Sequence, residues 1–254
     1  MMKCSLGVPL VLLGLAGVLW FADWNVPLFL WLHEHQLLLG GGLWANLTLL
    51  GDSALTPLIL VIFIRRRPDL LWAAVVGGLL AYAISHGLKP LVNEARPPAL
   101  LDIIVVGPRL LHSSFPSGHS TSIFMLAGLL VLGIPVKDRW VQAGILTLAA
   151  LVGLSRIGVG VHWPVDVLSG AVIGWLSAAA GLFIARRWSW GAQGAGRALP
   201  LVLLFLSGFY NLLGNDTGYA DAWLLQKGLT ALALTWGFIE LYRWANDRQR
   251  RSGE

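Results

Sequence analysis

The chain has 254 residues, of which 56% are hydrophobic and only 12% charged, with a formal net charge of +5. That apolar content excludes a soluble globular domain of this length and identifies a polytopic membrane protein. The basic balance does not point to nucleic acid, because the positive charge is gathered into alternate connections and not into one continuous patch.

Apolar runs suited to a hydrocarbon core of roughly 30 Å recur eight times. They lie at about 5–22, 53–67, 70–91, 118–136, 140–160, 164–185, 198–213 and 222–242. Each is expected to be helical, since lipid offers the backbone no other partner. The fold class is therefore all-α, a polytopic transmembrane helical bundle, and no repeat or linker divides the single integral membrane domain 1–254.

The first run follows Lys3 without a small-residue cleavage site and reads as a retained anchor. Cys4, the one cysteine, excludes an internal disulfide framework and a Cys-based metal cluster. From Ala22 to Asp52 the chain is apolar but broken by Asn25, Pro27, His33, Glu34, His35 and Gly40-Gly41-Gly42, the pattern of one or two interfacial helices. Asp52 is placed to cap the second span. The basic turn Arg65 to Asp69 leads into the third span, where Pro68 suits a helix start.

That third span runs out through Lys89-Pro90 to Asn93, Glu94, Arg96, Pro97 and Pro98. Loop 97–115 has the irregular, proline-bearing composition of a site wall or lid. Pro116-Ser117-Gly118-His119 opens the fourth span, and Lys137-Asp138-Arg139 turns the chain back. Ser155, Arg156, Gly158 and Gly160 end the fifth, and His162-Trp163-Pro164 leads into the sixth, whose first turn holds Asp166. The last two spans carry less chemistry, and the loop between them, Gly214 to Asp221, is acidic. Trp20, Trp24, Trp31, Trp44, Trp188 and Trp190 fall near helix ends, as aromatic belts require.

Topology follows from the cations. Lys3, Arg65, Arg66, Arg67, Lys137, Arg139, Arg186, Arg187, Arg197, Arg243, Arg248, Arg250 and Arg251 account for 13 of the 18 basic residues. They mark the cytoplasmic side and put both termini there. Lys89, Arg96, Arg109, Arg156 and Lys227 lie near the opposite face, against the topological bias.

Lys89, Arg96, Ser117, His119, Ser155, Arg156, His162 and Asp166 thus share one level at the external surface, where ionisable groups usually mark a site. Ser117 can cap a helix and leave its first N–H groups free for an anion. Gly118 lets an oxyanion approach the backbone. Lys89, Arg96 and Arg156 suit a dianionic phosphate. His162 and Asp166, four apart across a helix start, are spaced so that the carboxylate orients the ring and leaves its other nitrogen to attack phosphorus. His119 can protonate the departing oxygen and then deprotonate water. His86 reads as a buried hydrogen-bonding residue, Lys227 as an interface anchor, and Glu94, Asp102, Arg109 and His112 as groups shaping the entrance.

Lys89, six residues, Arg96-Pro97; Pro116-Ser117-Gly118-His119; Ser155-Arg156, five residues, His162, three residues, Asp166: this resembles the tripartite signature of the type 2 phosphatidic acid phosphatase superfamily at every position. The likeness covers about residues 50 to 185. It implies a six-helix core within 1–187, with 188–254 an added helical hairpin and basic tail. It implies that Lys89, Arg96, Ser117, Gly118, Arg156 and Ser155 hold the phosphate, His162 is the nucleophile, Asp166 orients it and His119 is the acid and base. No metal or other cofactor is implied. Soluble haloperoxidases share the signature, but eight spans argue against that branch.

The expected function is a bacterial inner-membrane phosphatase acting at the periplasmic face on undecaprenyl diphosphate, phosphatidylglycerol phosphate, phosphatidic acid or a lipid A phosphate, with the bilayer and a phospholipid or polyprenyl phosphate as partners and no nucleic acid. A phosphotransferase with the same site is a variant. A transporter would spread its ionisable groups through the membrane depth, which this chain does not. A catalytically inactive relative would not need an intact signature.

Overall fold

A computed structural model describes residues 2–135 and 138–252. Val136 and Lys137, in the expected cytoplasmic turn, lie outside the described residues, as do the side chains of Lys3, Cys4, Arg248, Arg250 and Arg251. Among the described residues every regular element is helical.

Helix α1 (Met2–Phe21) breaks at a short turn into α2 (Asn25–Leu37), the two being bent by 107°, and α3 (Gly41–Leu49) follows. An anchor followed by two short helices is the arrangement expected for 22–52. Asp52 caps what comes next, its Oδ1 accepting from the backbone N–H groups of Ala54 at 2.9 Å and Leu55 at 3.1 Å. The second expected span departs from an α-helix, since Thr56–Phe63 is a 3-10 helix. A 3-10 coil rises about 2.0 Å per residue against 1.5 Å for an α-helix, so a short apolar run covers more depth when drawn out. Pro57, which has no N–H to donate, lies in its first turn.

Pro68 starts α4 (Pro68–Val92), and Asn93, in the left-handed region at φ 43°, ends it by donating to Lys89 O at 2.9 Å. After α5 (Pro97–Leu100) and the irregular wall comes α6 (Gly118–Gly133), capped by Ser117. Asp138 caps α7 (Arg139–Gly158), accepting from Trp140 N at 2.8 Å. The bundle is completed by α8 (Pro164–Arg187), α9 (Ala198–Leu213) and α10 (Trp223–Ser252).

Among the described residues, four stretches can each cross a bilayer by length and composition: Pro68–Leu100, Arg139–Gly158, Pro164–Arg187 and Gly194–Leu213. The bent pair of α1 and α2 makes a fifth. Helix α6, with 16 residues, is shorter, and α10 carries Lys227 and Glu240 within its apolar run. All eight expected spans are helical segments, but fewer than eight qualify as membrane-crossing one by one.

Helix α8 is the hub, packing on α6, α4 and α1. Glycines make this possible. A Cβ at Gly170 would run into Ser117 O and one at Gly174 into Thr121 O, so the backbones of α6 and α8 touch. Gly181 against Ala73 O and Gly77 against Ser177 O do the same between α8 and α4. Leu70, Ala73, Leu129, Val152, Trp175 and Ala178 fill the remaining interior. Large apolar side chains such as Leu10, Phe183, Leu206 and Leu232 face outward, where lipid is their solvent. Trp20, Trp24, Trp31, Trp188 and Trp190 are exposed, whereas Trp44 is buried.

Helices α9 and α10 pack on each other and on the 3-10 segment. At the cytoplasmic end expected for Arg65, that residue pairs with Glu240 at 3.4 Å and Asp247 at 3.0 Å. At the other end the turn Ala220–Ala222 rests on α3.

Candidate active site

Four chain ends meet at one level: the C-terminal turns of α4 and α7 and the N-terminal turns of α6 and α8. The last two are tied directly, because Ser117 N donates to Asp166 O at 3.1 Å. Lys89, on the last turn of α4, donates to Ser113 O at 2.9 Å and Pro116 O at 3.3 Å. Arg96, just before α5, is pinned by carbonyls, with Nε on His112 O at 2.8 Å and Nη1 on Val161 O at 3.0 Å.

His162 lies between two partners. Its Nδ1 is 3.3 Å from Asp166 Oδ2, and its Nε2 is 3.1 Å from Arg96 Nη1. An arginine can only donate, so Nε2 carries the lone pair and Nδ1 the proton. Burial holds this imidazole well below its ordinary pKa, and the charges of Arg96, Arg156 and Lys89 push the same way.

Asp166 is fully buried. Besides His162, its Oδ2 accepts from Ser114 Oγ at 2.5 Å and from Trp163 N at 2.9 Å, the latter an N-terminal cap of α8. Arg156 donates through Nη1 to Thr48 Oγ1 and to Tyr219 OH, while its buried Nε has no partner among the described residues.

These groups open into one cavity of about 600 Å³. One end is lined by Lys89, Arg96, Gly118, His119, Arg156 and His162. The other is apolar, with Leu60 of the 3-10 segment, Leu79 of α4, Leu126 of α6 and Leu203 and Leu204 of α9. A cavity with a charged end and an apolar end fits an amphiphile.

Seven of the nine residues expected from sequence gather here, counting Asp166 behind His162. Ser117 and Ser155 do not line the cavity. Ser117 Oγ accepts from Ser120 N at 3.4 Å as the cap of α6, and Ser155 Oγ donates to Val152 O at 2.6 Å within its own helix. That back-bonding is the ordinary use of a helical serine hydroxyl.

The supporting residues Ser114, Thr48 and Tyr219 escaped sequence reasoning. Ser113-Ser114 beside the motif was a usable signal, whereas nothing in the spacing marked Thr48 or Tyr219. Among weaker expectations, His86 is exposed and stacked on Tyr82 at 3.9 Å, not buried. Lys227 binds the last carbonyls of α9, Asn211 O at 2.6 Å and Leu212 O at 3.0 Å, and so serves as a helix cap. His33 is buried against Ile157 O, and His35 is exposed. Among the described residues no group of three or more His, Cys, Asp or Glu is placed to hold a metal.

Residues 70–190 match the PAP2 superfamily. The undecaprenyl-diphosphatase of Sulfolobus acidocaldarius is 34% identical over 164 residues, 60% of this chain and 75% of that protein. The decaprenylphosphoryl-5-phosphoribose phosphatase of Mycobacterium tuberculosis is 37% identical over 135 residues, 52% of this chain and 65% of that one. In three dimensions the chain resembles Aquifex aeolicus LpxE, with a TM-score of 0.58 and 26% identity over 63% of this chain and 95% of that structure. Sequence match and helical architecture agree, and the chain belongs to the PAP2 superfamily as a membrane-embedded phosphatase.

Proposed function

We propose that this chain removes a phosphate from a membrane lipid phosphate or diphosphate through a covalent phosphohistidine at His162. The observation that carries the reading is His162 itself, aligned by Asp166 and facing a cation-lined chamber that continues into an apolar one. Lys89, Arg96 and Arg156 supply the positive charge that a divalent ion supplies at other phosphoryl-transfer sites. The backbone at Gly118 adds N–H groups at the start of α6.

The Nε2 lone pair attacks phosphorus as the bond from phosphorus to the leaving oxygen breaks, and His119 gives that oxygen a proton. Water then attacks the phosphorus–nitrogen bond while His119 takes back a proton, which frees phosphate and restores Nε2. For Nε2 to attack, Arg96 must redirect its Nη1 donor from the ring to the substrate.

The undecaprenyl-diphosphatase and decaprenylphosphoryl sugar phosphatase among the relatives favour a polyprenyl diphosphate or a related glycolipid phosphate as substrate. An external site is supported by α4, which has the basic cluster Arg65, Arg66 and Arg67 before its first residue and the site residue Lys89 on its last turn. At 1.5 Å per residue these ends are roughly 30 Å apart. The external side corresponds to the periplasm in a bacterial inner membrane.

The test is phosphate release by purified protein over a panel of polyprenyl diphosphate, phosphatidylglycerol phosphate, phosphatidic acid and lipid A phosphate, with EDTA present. Turnover by the wild type and none by His162→Ala is expected. Undiminished release by His162→Ala would remove the covalent route.

A further inference from the structure

The guanidinium of Arg156 is held by one edge only. Its Nη1 carries two protons, and two hydroxyl oxygens accept them: Thr48 Oγ1 from α3 and Tyr219 OH, the latter at 2.9 Å. Nε is buried and has no partner among the described residues. The edge built from Nε and Nη2 is the one that can grip two phosphate oxygens at once. The orientation of the guanidinium in the chamber wall is therefore set by the two oxygens that hold Nη1.

We infer that Tyr219, in the connection between α9 and α10, is a positioning residue for Arg156, so that the C-terminal hairpin completes the phosphate site. Tyr219 does not line the cavity. It lies outside the matched region 70–190, as does Thr48. Its hydroxyl has little freedom to swing away. Tyr219 is 7% exposed and its ring packs on Gly107, where an added Cβ would come within 2.5 Å of Cε1. The adjoining backbone is fixed too: Gly218 N donates to Asp216 Oδ1 at 2.8 Å, and Asn46 Nδ2 donates to Asp221 O at 3.2 Å. Gly107 belongs to the same wall whose carbonyls at His112 and Ser113 hold Arg96. Tyr219 thereby links α3, that wall and Arg156.

This rests on the phosphatase reading, and the experiment separates the two. Full-length wild type, Tyr219→Phe, Arg156→Lys and the double variant are compared in detergent for orthovanadate affinity and for KM and kcat on a lipid phosphate. Phenylalanine keeps the ring on Gly107 and removes only the acceptor. Losing a hydrogen bond to a charged group should weaken orthovanadate by about tenfold and raise KM in proportion. Lysine has no Nη1, so Tyr219→Phe should change affinity less than about twofold in the Arg156→Lys background.

Unchanged affinity in a folded Tyr219→Phe protein, or the same tenfold loss without Arg156, would overturn the inference. Should Tyr219→Phe prove too unstable to purify, Thr48→Val removes the other acceptor from a different element. The same loss and the same dependence on Arg156 are then required. A wild type that neither binds orthovanadate nor releases phosphate would sink the phosphatase reading first, and this inference with it.

Discussion

Asp166 Oδ2 lies 3.3 Å from His162 Nδ1 and is simultaneously held by the Ser114 hydroxyl at 2.5 Å. The carboxylate is thus fixed from one side and fixes the imidazole on the other. Asp166→Asn should keep the packing but present an amide that can turn its NH₂ toward Nδ1 and favour the wrong tautomer. By analogy with hydrolytic triads, lipid phosphate release should fall roughly a thousandfold or more. Thermal stability, followed in the same detergent, should change far less than activity.

The depressed pKa of His162 makes a prediction for the acid side of the pH profile. A free imidazole protonates near pH 6.5, but here burial and three neighbouring cations keep the ring neutral to lower pH. Phosphohistidine formation, measured in a single turnover, should therefore persist well below pH 6.5. The sign for stability is opposite to that of a histidine gaining an anionic partner. The contribution of His162 is fully present above about pH 6.5 and declines as pH falls from there toward its folded-state value. A single-turnover rate that halves near pH 6.5 would contradict this.

The contact between α6 and α8 makes a stability prediction. A methyl group at Gly174 meets Thr121 O, a backbone atom that cannot move aside, so Gly174→Ala should lower the melting temperature and activity together. Gly144, on α7, has nothing within 4 Å of an added Cβ. Gly144→Ala should be neutral or stabilising by up to about 1 kcal/mol through helix propensity.

Leu204 of α9 is buried at the apolar end of the cavity. Replacing it with tryptophan shortens that end while leaving the charged end alone. Leu204→Trp should lower kcat/KM on a long-chain lipid phosphate by roughly tenfold or more relative to a short-chain, water-soluble analogue. Equal losses on both would deny the apolar end a role in holding the tail.

Sidedness is tested by cysteine labelling in a Cys4→Ser background. A cysteine at Leu110, an exposed position on the wall, should react with a membrane-impermeant maleimide in intact spheroplasts. One at Arg66, in the basic turn, should react only after permeabilisation.

The placement of the candidate site was legible because it depends on residue type at helix ends. Lys89, Arg96, Gly118, His119, Arg156, His162 and Asp166 announce themselves as polar groups that a membrane helix does not carry without a reason. Secondary structure followed for similar reasons, through caps at Asp52 and Ser117 and the proline at the start of α4. The 3-10 form of Thr56–Phe63 was not legible, since hydropathy registers how apolar a run is and not its rise per residue. Thr48 and Tyr219 were hidden because a hydroxyl serving Arg156 from 108 and 63 residues away leaves no periodic or spacing trace. Ser117 and Ser155 differ from these: each hydroxyl is engaged within its own helix, and neither lines the cavity.

Because Gly170 and Gly174 bring the backbones of α6 and α8 into contact, His119, His162 and Asp166 are mounted on a single stiff frame, while much of the apolar lining belongs to α4, α9 and the 3-10 stretch. Selection can therefore redraw the preference for one chain length or another by editing α9 and the 3-10 stretch, without disturbing the geometry of the transferred phosphoryl group. That division of labour suits a scaffold whose relatives act on chemically distinct isoprenoid-linked headgroups.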